Sequence, residues 1–156
     1  MQNGPYESDG VRRSFAYSKA DVIKLDTKCL FAGRLERVCD WEEKPHSHAF
    51  CEIMLVEAGK GEVTVGGVRY PIGKGDIVVY NADAVHGEKT GGEGLALSFF
   101  GIRNFNIESL PADHLIAEGA SPVLHTGADA EKFSFYFSSL AYEVATAEPY
   151  GELMAK

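Results

Sequence analysis

Residues 45–59 read PHSHAFCEIMLVEAG, and this stretch decides both the fold and the site. Successive side chains of an extended strand point to opposite faces. His46, His48 and Glu52 all stand at even positions, so they share one face if the strand stays regular. Two imidazoles and a carboxylate on one face supply three ligands for a divalent cation. The stretch therefore predicts a polar site on one face of an otherwise apolar strand.

Short strand patterns surround this stretch from about Val22 to Phe105, and no helical period interrupts them. Many short strands in succession are typical of a sandwich or a barrel. Gly66 and Gly67 predict a two-residue hairpin, because glycine adopts the positive φ that such turns require. The predicted strands are VIKL, CLFAGRLERV, CEIMLVEA, EVTV, VRYPI, DIVVY, AVHGEKT and LALSFFGI.

The period changes beyond about Asp129, where apolar residues recur at steps of three and four. This spacing predicts an amphipathic helix. Pro149-Tyr150-Gly151 interrupts the pattern, and the last six residues, GELMAK, predict the opening of a second helix. We divide the chain into a flexible leader (1–21), a barrel (22–110), a connecting segment (111–128) and a helical segment (129–156). The helix stripe contains Phe133, Tyr136, Phe137, Leu140, Ala141 and Val144.

Composition limits the classes of function. The chain has 156 residues, of which 45% are hydrophobic, enough for one globular domain with a core. A formal net charge of -8 argues against nucleic-acid binding by this chain, because that binding rests largely on Lys and Arg. No apolar run reaches the about 20 residues of a membrane helix. Three cysteines without metal-ligand spacing, and no apolar run typical of a signal peptide, favour the cytoplasm.

A second motif follows the first and supplies a fourth candidate ligand, His86. Together the two motifs resemble the two consensus motifs of the cupin superfamily. The resemblance implies an all-β fold, the cupin jelly-roll barrel, with His46, His48, Glu52 and His86 gathered inside it. The matching spacing is His46-x-His48-x3-Glu52-x6-Gly59, then Gly75-x5-Asn81-x-Asp83-x2-His86.

The departures from the cupin consensus lie outside the ligand positions. Asp40 stands at the leading glycine of the first motif. Asn81 and Asp83 replace the proline and glycine of the second motif, and Thr90 replaces its trailing asparagine. Asn and Asp tolerate left-handed turn conformations, so a tight turn before His86 remains physically reasonable.

The four candidate ligands leave two readings open. They predict a metal site for a first-row divalent ion (Fe, Mn, Ni, Co or Zn), because three nitrogens and one oxygen suit neither Ca nor Mg. The same imidazole and carboxylate groups can also bind an effector directly.

The first motif, the hairpin, the LALSFFGI strand and the aromatic tail together resemble the N-terminal sensing domain of AraC-type transcription regulators. The resemblance implies a barrel that binds a small polar effector, with a sugar as one candidate, and helices that form a homodimer. The DNA-binding motifs of that family do not follow, so we interpret the chain as a truncated regulator. The alternatives are a metal-dependent cupin enzyme, such as a dioxygenase or a sugar isomerase, and a scaffold that binds nothing. Asp76, Asp83 and Glu88 are nearby carboxylates that no pattern places in the cavity.

Overall fold

The computed structural model of the chain describes residues 7–8, 13–14 and 27–146, which form eight strands and one α-helix. The helix, α1, spans Ala130–Thr146 and follows a short 3-10 turn at Gly127–Asp129. The strands are β1 (Glu7–Ser8), β2 (Arg13–Ser14), β3 (Lys28–Val38), β4 (Cys51–Val65), β5 (Val68–Gly73), β6 (Asp76–Tyr80), β7 (His86–Arg103) and β8 (Val123–His125).

Two long strands organise the barrel. β4 and β7 pair antiparallel along nearly their whole length. On its other edge, the first part of β4 pairs with β6 and the last part pairs with β5, so β4 contacts three strands along its length. The sheet order is β3-β7-β4-β6-β8, with β5 beside β4. The prediction of an all-β barrel followed by a helix is therefore confirmed.

The strand boundaries differ from the predicted ones in two ways. The predicted strands CEIMLVEA and EVTV form one continuous strand, β4, and AVHGEKT and LALSFFGI form one strand, β7. Glycines at the predicted breaks bend the strands without ending them, and Gly59 and Gly94 both have positive φ. The Gly66-Gly67 hairpin is confirmed, because both residues have positive φ and join the paired residues Val65 and Val68.

Alternation along β4 divides the core into two apolar layers. The inner layer fills the barrel, and Met54, Val56 and Val63 are its members on β4. The outer layer lies between the sheet and α1, and Leu55 and Phe137 belong to it. Because the side-chain period of a strand is two, neighbouring residues of β4 serve opposite faces of the sheet.

Helix α1 covers the outer face of β3, β4 and β7. One residue of the helix is fully buried, Phe137, which packs on Phe100 with ring centroids 4.9 Å apart. The predicted connecting segment also contributes to the sheet, since β8 pairs with β6. Among the described residues, no helix has the length and apolarity needed to cross a membrane.

Three predictions fall outside the described residues, wholly or in part. They are the VIKL strand, the GELMAK helix and the leader at residues 1–21, of which only the residues of β1 and β2 are described.

Candidate ligand site inside the barrel

The structure assembles the site by a different route from the predicted one. β4 begins at Cys51, and the chain bends at Ala49 and Phe50, so the regular strand on which the shared face was conditional does not extend back to His46. Instead, His46 and His86 exchange two backbone hydrogen bonds, each 2.9 Å from nitrogen to oxygen. Pairing between the two motifs, and not side-chain alternation alone, brings these ligand candidates together.

Backbone turns set the direction of each motif. Asp40 and Asp83 have φ values of 52° and 63°, so aspartates adopt the left-handed conformation where the cupin consensus has glycine. The Asp83 N–H also donates to the His48 carbonyl, at 2.8 Å. The substituted turn therefore keeps its shape and returns the chain toward His48.

Asn81 has a structural role beside this turn. Its side-chain oxygen accepts hydrogen bonds from the backbone N–H groups of Leu115 and Ile116, and its amide group donates to the Ile116 carbonyl. The residue thereby fastens the segment before β8 to the end of β6.

Three histidines form a compact cluster. His46, His48 and His86 each offer a ring nitrogen, and these nitrogens all lie within 4.8 Å of one another. The ring centroid of His86 is 4.4 Å from that of His46 and 4.8 Å from that of His48. Burial grades across the cluster, from exposed His46 through half-buried His48 to buried His86. The cluster therefore connects the barrel interior with solvent.

The three imidazoles share one hydrogen-bonding arrangement. Each Nδ1 lies at hydrogen-bond distance from a carbonyl oxygen two residues away in the chain. A carbonyl only accepts, so Nδ1 carries the proton and, in the neutral ring, Nε2 keeps its lone pair. Metal-binding histidines use this arrangement, in which one nitrogen is oriented by a hydrogen bond and the other coordinates. The partners are Lys44 for His46, Phe50 for His48 and Ala84 for His86.

Glu52 joins the cluster through His48. One carboxylate oxygen of Glu52 lies 2.9 Å from His48 Nε2. With Nδ1 protonated, a neutral His48 and an ionised Glu52 would each present a lone pair, so a proton or a cation must lie between them.

Burial keeps His86 available as a neutral ligand. The residue is only 1% exposed, and its Nε2 has no hydrogen-bond partner among the described residues. Burial, with a smaller contribution from the neighbouring His46 and His48, lowers the pKa of His86 to about 4, against a hydrogen bond to the Ala84 carbonyl that raises it. The ring is therefore neutral at pH 7, with a buried lone pair directed at no described group. This is the observation by which the site fits a bound metal ion.

Sequence reasoning missed two further polar groups inside the barrel. Tyr80 belongs to the inner layer and stacks on His86, with centroids 3.9 Å apart and ring planes at 14°. Glu88 is 7% exposed and stands two residues after His86 on the same strand. The even spacing of 86 and 88 is the signal that could have placed Glu88 on the inner face.

A mostly apolar cavity of about 760 Å³ lies between the outer face of the sheet and α1. Ile53, Ile77 and Phe100 line the sheet side, and Phe133 and Phe137 line the helix side. None of the four predicted ligands borders it. The large cavity and the polar cluster are therefore separate features on opposite faces.

Comparisons with known proteins give one family. The AraC-like ligand binding domain matches residues 30–145, which is well over half of the chain. Among curated proteins, none matches the chain.

Solved structures show partial similarity to the chain. An RmlC-like cupin from Shewanella frigidimarina is 22% identical, covers 47% of this chain and 66% of its own, and has a TM-score of 0.43. A Cupin 2 conserved barrel domain protein from Salinispora arenicola is 16% identical, with 56% and 87% covered and a TM-score of 0.42. Salicylate 1,2-dioxygenase from Pseudoaminobacter salicylatoxidans is 20% identical, with 45% and 20% covered and a TM-score of 0.40. The chain spans less than two thirds of the length of the first and last of these proteins.

Proposed function

The chain belongs to the family of AraC-like ligand binding domains, and on this premise we propose that it senses a small polar molecule at the histidine cluster inside its barrel. One observation carries the proposal. Three imidazoles have their Nδ1 atoms tied to local carbonyls, and the buried Nε2 of His86 has no partner among the described groups. A preorganised, unpaired acceptor such as His86 Nε2 suits a bound ligand better than a packed core.

A first-row divalent metal ion fits this donor set. His46, His48, Glu52 and His86 would hold it through three imidazole nitrogens and one carboxylate, a set suited to Fe, Mn, Ni, Co or Zn. When bound, the ion would supply a positive charge that attracts and polarises an oxygen of the effector. The chain's own part is to keep the three rings oriented and to shield His86 from water.

Strand β4 offers a route from the site to the helix. Glu52 faces the barrel interior, whereas Glu57 lies on the outer side of the same strand. The two Glu57 carboxylate oxygens accept hydrogen bonds from Ser98 of β7 and Ser134 of α1, each at 2.8 Å. A ligand that favours one position of β4 would therefore also bias the position of α1, as a sensor requires.

We further propose that the domain is a homodimer that associates through α1, in the cytoplasm. Phe135, Tyr136 and Tyr142 on this helix are 67%, 52% and 67% exposed. Large aromatic side chains clustered on one surface element mark protein contact sites. Sedimentation of the wild-type chain should show a concentration-dependent dimer, and Phe135→Ser with Tyr142→Ser should weaken it at least about tenfold. A strictly monomeric wild-type chain would contradict this part of the proposal.

A thermal-shift screen tests sensing directly. Binding only to the folded state raises the melting temperature by mass action. We expect carbohydrates or related small polar compounds to stabilise the chain, to be recovered unchanged by mass spectrometry, and to lose their effect in His48→Ala. The matched control is His114→Ala, which removes a half-buried histidine outside the cluster.

A metal-dependent cupin enzyme is the second candidate, and Glu88 is the observation that favours it. A buried carboxyl near the histidines could serve as the acid or base that many metal-assisted reactions need. Steady, metal-dependent conversion of a compound in the same screen would favour this candidate over the sensor.

A further inference from the structure

The apolar cavity behind the sheet is a feature that the proposed function leaves unused. Its volume is about 760 Å³, whereas packed protein interiors contain few voids larger than a water molecule. Ile77, Val79 and Phe137 on its walls are 7%, 5% and 6% exposed, so the space extends deep between the sheet and α1. Its volume falls within the range of about 300–1,000 Å³ that small-molecule sites occupy.

The polar groups of the cavity stand at its mouth. Leu124, His125, Thr126 and Asp129 line this end, in the stretch from β8 to the start of α1. Leu124 is 46% exposed and the His125 side chain is 79% exposed, so this end is open to solvent. The Thr126 hydroxyl donates to the Gly75 carbonyl, so its oxygen offers only lone pairs to an occupant.

The charge at the mouth is negative. The Asp129 carboxylate forms no ion pair with any described residue, and no described lysine or arginine lines the cavity. His125 directs Nδ1 to the Asp76 carboxylate at 2.6 Å, so the neutral ring presents its other nitrogen, Nε2, as an acceptor. An ammonium group would donate to these acceptors and pair with Asp129, whereas a carboxylate would meet a like charge.

We propose that this cavity is a second ligand site, separate from the histidine cluster, that binds a hydrophobic amine. The apolar body of the amine would lie between the sheet and Phe133 and Phe137 of α1, and its ammonium group beside Asp129. Removal of the apolar body from water supplies most of the affinity, and the charge at the mouth supplies the selectivity. An occupant that contacts both the sheet and α1 also stabilises their packing.

The test uses three probes that share one apolar body, namely octylamine, 1-octanol and octanoate. Isothermal titration calorimetry with the wild-type chain should rank their affinities in this order, with octanoate at least about fivefold weaker than octylamine. Hexylamine should bind roughly tenfold more weakly than octylamine, because it buries two methylene groups fewer. Octylamine should also raise the melting temperature, since it binds the folded state.

Two variants locate the amine in the cavity. Asp129→Asn should weaken octylamine about two- to fivefold and leave 1-octanol unchanged. Glu131→Gln is the matched control, because Glu131 is an exposed carboxylate in the first turn of α1 that does not line the cavity. Leu140→Trp places a larger side chain in the cavity wall and should weaken octylamine and 1-octanol together. Ni²⁺ binding by Leu140→Trp, measured by equilibrium dialysis, reports that its barrel is folded.

His86→Ala separates this inference from the proposed function. This variant should lose Ni²⁺ binding and keep the wild-type affinity for octylamine. Loss of octylamine binding in His86→Ala would place the amine at the histidine cluster and overturn the proposal. So would equal affinities for octylamine and octanoate, or equal effects of Asp129→Asn and Glu131→Gln. A wild-type chain that binds none of the probes would also overturn it, and would indicate that another part of the chain or a second copy fills the cavity.

Discussion

The two faces of β4 have different surroundings, because the inner face adjoins the histidine cluster and the outer face adjoins an apolar cavity. The inner face presents Glu52 against His48 of the histidine cluster, and the buried Nε2 of His86 has no hydrogen-bond partner among the described residues. The outer face presents Ile53 and Leu55 to an apolar layer that α1 covers only in part, leaving a cavity of about 760 Å³. One strand with a period of two thus carries polar groups of the histidine cluster on one side and helix packing on the other. The large cavity lies away from the histidines, so the two regions can be tested separately.

If the two faces have separate roles, damage to one should spare the other. The largest effect on folding is expected on the outer face. Phe137→Ala removes the fully buried aromatic of α1 and should lower the free energy of unfolding by about 3–5 kcal/mol in urea titrations. The folded fraction should bind Ni²⁺ with unchanged affinity. A loss of Ni²⁺ binding in the folded protein would show that the faces are not separable.

The inner face should give the converse result. His86→Ala removes the buried imidazole and should weaken Ni²⁺ binding about 100-fold or more, measured by equilibrium dialysis. His125→Ala is the matched control, because His125 borders the apolar cavity and pairs with Asp76 at 2.6 Å. Equal losses in the two variants would remove the distinction between the regions.

Lowering the pH should destabilise the folded chain through His86 on the inner face. The pKa of His86 is lowered to about 4 in the folded chain, whereas its value in the unfolded chain is near 6.5. Between these two pH values the unfolded chain therefore binds one proton more than the folded chain. The contribution of neutral His86 to the free energy of unfolding is therefore fully present above about pH 6.5. It is lost as the pH falls toward 4, by at most about 1.4 kcal/mol per pH unit.

Urea titrations at several pH values check this, with His86→Asn as the reference that lacks the group. The difference between wild type and variant isolates His86 from Glu88, whose pKa is raised by burial and whose contribution has the opposite sign. A difference that does not change with pH would contradict the expected slope.

The smallest effect is expected at the link between the faces. Ser134→Ala removes one of two hydroxyl donors to Glu57 and should cost about 1 kcal/mol of stability. If α1 reports on the site, this variant should also reduce the dependence of dimerisation on effector. Ser139→Ala is the control, because that hydroxyl donates only to the Phe135 carbonyl within the helix.

Local sequence patterns predicted the elements of the fold better than their assembly. The hairpin at Gly66 and Gly67 was predictable because glycine at both positions fits only a few turns. The bend at Ala49 and Phe50 was not, because it depends on pairing between His46 and His86, which are forty residues apart in the chain. Spacing nevertheless named the three histidines whose rings the fold brings together, and Glu52, which contacts one of them.

The groups that the sequence did not reveal depend on long-range contacts. Tyr80 reads as an ordinary aromatic at the end of DIVVY, and only its stacking on His86 places its hydroxyl near the site. The cavity behind the sheet likewise requires the position of α1 relative to β6 and β8, which no local pattern fixes.

One measurement tests the central claim most directly, that the interior imidazoles form a prepared ligand site. Long-range proton–nitrogen NMR spectra of the histidine rings report the tautomer of each of the five histidines. We predict that His46, His48 and His86 carry the proton on Nδ1 near pH 7.5, and that Zn²⁺ shifts their Nε2 signals together while those of His114 and His125 stay in place. Mixed tautomers, or a Zn²⁺ response shared with His114 and His125, would contradict the account.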